Sequence, residues 1–126
     1  MGVEQTVTVP AGAALPWAAV VERLAAHGGA APLRMIDGLP AFPDEQPPDD
    51  CKELRVGTPA GMVTLRRTAT GVGVVVWGNA GPDVHVAANA LLWAVADVGG
   101  GRVETPGGPV DAAAFARTAP LPWRAG

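Results

Sequence analysis

The sequence predicts an α+β domain. The expected form is a two-layer sandwich, a mainly antiparallel sheet of five to six strands with two main helices on one face. Three observations carry this. Residues 53 to 77 alternate and turn like a three-stranded meander. Two stretches, one on each side of it, repeat apolar residues at three- and four-residue steps. Short β-branched runs lie beside both. At 126 residues the chain fits a single domain spanning 1–126. Such a length hides roughly two-thirds of its unfolded surface, enough for one core.

Val3, Val7 and Val9 alternate with Glu4, Thr6 and Thr8, which reads as a half-buried strand. Pro16 suits the first position of a helix, where its missing N–H costs nothing. Trp17, Val20, Val21, Leu24 and Gly28 then share one helical face, with Glu22 and Arg23 opposite. Gly28-Gly29 ends that helix, because glycine takes the left-handed cap without strain. Leu33–Ile36 is a short apolar run and is expected to be a strand.

The stretch 37–52 differs in kind. Pro40, Pro43, Pro47 and Pro48 are interleaved with Asp44, Glu45, Asp49 and Asp50. Prolines at that density exclude a helix or a central strand. The expectation is a long, stiff, acidic loop.

Leu54 and Val56 alternate with Arg55, and Val63 and Leu65 with Thr64 and Arg66. Thr58-Pro59-Ala60-Gly61 supplies the first turn and Thr70-Gly71 permits the second. Setting Leu54 and Val56 on the face of Leu65 and Val63 fixes a register, with Glu53 opposite Arg66 and Arg55 opposite Thr64. Val72 to Trp77 is nearly all apolar and β-branched, as in a central strand covered on both faces or paired on both edges.

Gly81-Pro82-Asp83 opens the second helix, with proline at the first position and an acid at the positive end of the dipole. Its stripe is Val84, Ala87, Ala88, Leu91, Leu92, Val95 and Val98, and Gly99-Gly100-Gly101 stops it. Arg102–Thr105 reads as a short strand and Val110–Arg117 as a short helix. Residues 118–126 read as an extended tail.

The side-chain inventory narrows the chemistry. There is no serine and no tyrosine, one cysteine, one lysine and two histidines. Cys51 is flanked by Asp49, Asp50 and Glu53, which raise a thiol pKa and deplete thiolate. His27 stands at the end of the first helix, a capping position. His85 stands in the first turn of the second helix, where positive charge is disfavoured. No catalytic residue is assigned. Zinc needs three or four Cys or His ligands, and here the three such residues have no motif spacing. The acidic loop lacks a calcium-loop pattern. No metal and no cofactor is expected. The glycine pairs fit neither a P-loop nor a dinucleotide fingerprint.

A net charge of −3 gives no basic footprint for nucleic acid. No stretch of the sequence is apolar for the length a membrane span needs, and no secretory leader is evident. Met1-Gly2 fits a loose myristoylation pattern only. A lone cysteine suits a reducing cytoplasm. The alanine- and arginine-rich composition is that of GC-rich bacterial coding.

Two features point to contacts instead. The second helix is apolar off its main stripe, at Val86, Ala90 and Trp93. Asp97 is an acid in its last turn, with Arg102 as a candidate partner. The leading expectation is a non-catalytic binding or adaptor domain acting through protein–protein contacts, a homodimer with Val86, Ala90 and Trp93 at its interface. The alternative is a small anionic-ligand binder using Arg55, Arg66 and Arg67, with Arg67 on the opposite face from the other two. A small enzyme using His85 or a carboxylate ranks below both.

Overall fold

The computed structural model of the chain describes residues 3–9, 17–48, 51–77 and 81–123. Met1, Gly2, Pro16, Asp49, Asp50 and the last three residues of the 118–126 tail, about which the sequence raised expectations, lie outside the described residues.

The elements run β1 (Val3–Thr8), α1 (Trp17–Ala25), β2 (Leu33–Ile36), β3 (Leu39–Pro40), β4 (Glu53–Thr58), β5 (Gly61–Arg67) and β6 (Gly71–Val76). They continue α2 (Pro82–Gly99), β7 (Arg102–Thr105), β8 (Gly108–Asp111) and α3 (Ala112–Thr118). The strands form one eight-stranded sheet in the order β3-β2-β4-β5-β6-β1-β7-β8, antiparallel at every pairing. The α+β class stands. The sheet has eight strands, not five to six; the two main helices and the expected short third helix are all present.

Both added strands come from hairpins. At the first, Asp37 and Gly38 take positive φ angles of 50° and 81° between β2 and β3. This is the turn whose twist matches paired strands, and Asp-Gly is a sequence that favours it. β3 is only two residues long and ends the sheet, so the expected exclusion of proline from a central strand holds while Pro40 sits at an edge. At the second, Thr105-Pro106-Gly107-Gly108 turns β7 into β8, and the Thr105 hydroxyl donates to the Gly108 carbonyl at 2.6 Å. Thr58 does the same to Gly61 at 2.6 Å in Thr58-Pro59-Ala60-Gly61. Val110 therefore belongs to β8. The last helix starts later than expected, at Ala112, where the Asp111 side chain accepts from the Ala114 amide at 2.8 Å.

The meander register is as expected: Glu53 faces Arg66, and Arg55 faces Thr64. Val7, Leu33, Leu54, Val56, Val63, Leu65, Val72, Val74 and Val103 point to one side of the sheet. They form a single core with Trp17, Val20 and Leu24 of α1, much of α2 and Phe115 of α3. The helices thus share one face. α2 lies over β5, β6, β1 and β7, with α1 and α3 packed on its flanks.

α1 ends as the glycine pair predicts. Gly28 is left-handed at φ 78°, its amide bonds the Ala25 carbonyl, and the Gly29 amide reaches back to Leu24 at 2.9 Å. α2 ends the same way at Gly100.

The 37–52 segment is held at its two ends. Asp37 Oδ1 accepts from the amides of Lys52, at 2.7 Å, and Glu53, at 2.9 Å. The Lys52 amide, then the Glu53 amide, holds the Asp37 carboxyl below its ordinary pKa. A carboxyl with a depressed folded pKa contributes stability above its unfolded pKa and loses it as pH falls through the folded one. Asp37→Asn keeps the acceptor and removes the charge. It is expected to lower the urea midpoint at pH 7, with the gap to wild type closing as pH falls below about 3.9. A gap independent of pH would remove the carboxylate from that role.

Candidate interaction surface

The residues with catalytic potential are placed apart. Cys51 is 3% exposed and belongs to the core. It lies beside Leu54, Leu65 and Val72, in a crevice with no room for a substrate. His27 does sit at the end of α1, but its ring is engaged by aromatics. It stacks on Trp123 with centroids 4.3 Å apart and meets Trp93 edge-on at 5.2 Å. His85 is exposed on the first turn of α2. Among the described residues, no three His, Cys, Asp or Glu side chains gather closely enough to hold a metal ion. No helix among them is long and apolar enough to cross a membrane.

The second apolar side of α2 is met by the chain itself. Ala90 is 5% exposed and belongs to the core. Trp93 is half-buried against His27 and Trp123, which comes from the C-terminal tail. Val86 is half-buried at an open groove of about 750 Å³ between α2, the Pro59-Ala60 turn and residues 118–122. Asp97 is paired with Arg23 of α1, Nη1 to Oδ2 at 2.6 Å, and not with Arg102. The ion pair ties α1 to the last turn of α2. α1, α3 and the tail thus pack around much of this second side, while Val86 stays at the groove.

The opposite face of the sheet has no helix over it among the described residues. Alternation sets Arg55, Arg66 and Glu53 on this face and Arg67 on the other, as the strand positions predict. Glu53 sits between the two guanidiniums, 3.8 Å from each Nε. That separation is an ion contact and not a hydrogen bond. Half-exposed pairs of this kind are worth about 0–1 kcal/mol. Arg34 joins them from β2. A register shift between Leu33 and Met35 leaves it unpaired as the extra residue, and it lies across Gly57.

At the end of the two middle strands next to the 58–61 turn, this face carries Met62, 43% exposed, and Trp77, 47% exposed. Met62 is on β5, and Trp77 follows β6 directly. The β5–β6 register pairs Thr64 with Val75. Continued by one like-facing step, it sets Met62 and Trp77 opposite each other. Thr64 and Val75 are buried even though this face lacks a helix. Arg55 and Glu4 flank them in the same cross-strand row. On the far half, Glu4 lies over Gly73, and Glu104 accepts from the Thr8 hydroxyl at 3.0 Å. Trp77 and Met62 are the surface residues that sequence reasoning missed.

Comparison of the chain with protein-family models, with curated proteins and with solved structures returned no match.

Proposed function

We propose that this chain is a non-catalytic protein-binding domain that docks its partner on the helix-free face of its sheet. The observation that carries the reading is the half-exposed Met62–Trp77 pair bordered by Arg34, Arg55 and Arg66. Tryptophan, methionine and arginine are the residues that protein interfaces enrich, and a tryptophan at the centre of a patch is a typical energetic anchor. An antiparallel sheet normally sets polar residues on its solvent face. The scarcity of placed nucleophiles and bases agrees with a binding role.

A small-anion site made by Arg55, Arg66 and Arg67 together is the weaker reading. Arg67 lies across the sheet from the other two, and Glu53 already stands between those.

A photo-reactive residue placed at position 62 tests the binding surface in living cells. The expected result is a discrete cross-linked adduct, with its components identified by mass spectrometry. It should disappear in the Trp77→Arg background, while the same probe at Glu22 on α1 yields none. Equal adducts from both positions, or an adduct indifferent to Trp77→Arg, would refute the surface.

A further inference from the structure

We infer that the occupant of this face is a second copy of the chain, its sheet meeting the first face to face. The two-fold axis runs along the strands, midway between β5 and β6. This rests on the binding-surface reading above and names the partner.

The rims of the sheet argue against the commoner route to self-association, which extends a sheet edge to edge. β3 is two residues long and ends in Pro40, and β8 carries Pro109 within its four residues. Short edge strands and prolines are how natural sheets block added strands. The helix-free face, which carries Met62 and Trp77, is the alternative surface.

Strand order then selects the symmetry. β5 and β6 are the fourth and fifth of the eight strands, so the line between them bisects the sheet. A two-fold axis lying across the strands would set every strand over its own copy, and Arg55 over Arg55. An axis along the strands sets β5 over the second copy's β6, and β4 over its β1. Charge favours the second arrangement. Arg34, Arg55 and Arg66, offset by Glu53, lie on the β2-β4-β5 half. Glu4 and Glu104, offset by Arg102, lie on the β1-β7 half. Like charges apposed across an interface are strongly disfavoured, and opposite ones fix its register.

The cross-strand rows sharpen this to a residue pair. Arg55, Thr64, Val75 and Glu4 occupy one row across β4, β5, β6 and β1. An axis along the strands preserves height along them. It therefore brings Arg55 over the second copy's Glu4, and Glu4 over its Arg55. The same operation brings Met62 over the second copy's Trp77 beside the axis. Aligned sheets cross at about 30°. That offset is small this near the axis, and both charged side chains are long enough to span it. Area is sufficient as well. Six to eight strands about 4.8 Å apart and about 20 Å long offer roughly 580–770 Å² per copy, against the roughly 600–1,000 Å² per partner of specific interfaces.

Light scattering on the purified chain at about 50 µM, repeated over a dilution series, reads the association directly. Wild type is expected to be a dimer. Arg55→Glu and Glu4→Arg should each weaken it by about tenfold or more, and the double charge swap should restore it. Trp77→Arg should be monomeric. Circular dichroism checks each fold, and Met62→Lys replaces Trp77→Arg if that variant unfolds. A wild-type monomer would overturn the second copy as partner, and the surface reading would then be judged by the mass of its own cross-linked adduct. A dimer weakened by Trp77→Arg but not rescued by the charge swap would overturn the axis. A dimer indifferent to every substitution would overturn both readings, since the copies would then meet elsewhere.

Discussion

Gly71→Ala is expected to cost the domain about 3 kcal/mol, the upper end of what overpacking a core costs. Gly71 opens β6 opposite Thr8 of β1 and is itself buried. A Cβ built there falls well inside contact distance of the Val7 carbonyl oxygen, and close to the Thr8 Cα. These are backbone atoms of a central strand, so no rotamer change relieves the overlap. β1 must move, and with it the rungs that join it to β6. A typical domain is stable by about 5–15 kcal/mol, so this loss is a large share of the total. Urea unfolding reads it. Gly81→Ser is the control, because nothing lies within 4 Å of a Cβ at that position and α2 has no side-chain cap there. It should change stability by only a few tenths of a kcal/mol, in the stabilising direction. A Gly71→Ala protein within about 1 kcal/mol of wild type would contradict the β1–β6 register.

Leu92→Ala is expected to cost about 2–5 kcal/mol, the range for deleting a buried leucine side chain. Leu92 is among the fully buried side chains of α2, the helix that covers four strands of the sheet. α2 itself packs on the sheet and is flanked by α1 and α3. Such a site collapses poorly, and the cavity term is then near its upper range. The readouts are the urea midpoint and the midpoint of thermal unfolding. Alanine in place of the partly buried Val86, at the rim of the α2 groove, should cost much less. Equal costs at the two positions would mean that α2 is not docked as described.

The meander was legible because two constraints agreed. Alternation assigned faces, and Thr58-Pro59-Ala60-Gly61 fixed the loop length, which together left a single register for Glu53 and Arg66. The same kind of turn at Thr105-Pro106-Gly107-Gly108 went unread. Gly108-Pro109-Val110-Asp111 has one β-branched side chain and three residues poor in strand propensity, so nothing after the turn resembled a strand. What makes it one is pairing with β7 at a sheet edge, a tertiary cause. Asp37-Gly38 was readable as a hairpin signal, but the prolines that follow dominated the segment.

The surface was only half legible. The excess apolar character of α2 was real, and three-dimensional packing supplied much of its cover from α1, α3 and Trp123. The run Val72–Trp77 suggested burial on both faces or pairing on both edges. Separating its alternate positions shows Val72, Val74 and Val76 on the core side, with Gly71, Gly73, Val75 and Trp77 on the other. All six β6 residues are buried and the strand is paired on both edges, as expected; only Trp77, just past its end, is exposed. Burial of Thr64 and Val75 could not be read from spacing, because it depends on which strands become neighbours.

The place of β1 in the sheet has a consequence for how the chain reaches its folded form. β1 is the sole link between the five strands β3-β2-β4-β5-β6 and the hairpin β7-β8. It pairs with segments more than sixty and more than ninety residues further along the chain. During synthesis it emerges before both and must wait for them. Such distant pairing slows folding and leaves apolar strand surface open meanwhile. The first strand of the sheet to be made is thus the last to find its place, and until it does the sheet remains in two parts, bridged by α2 among the described elements.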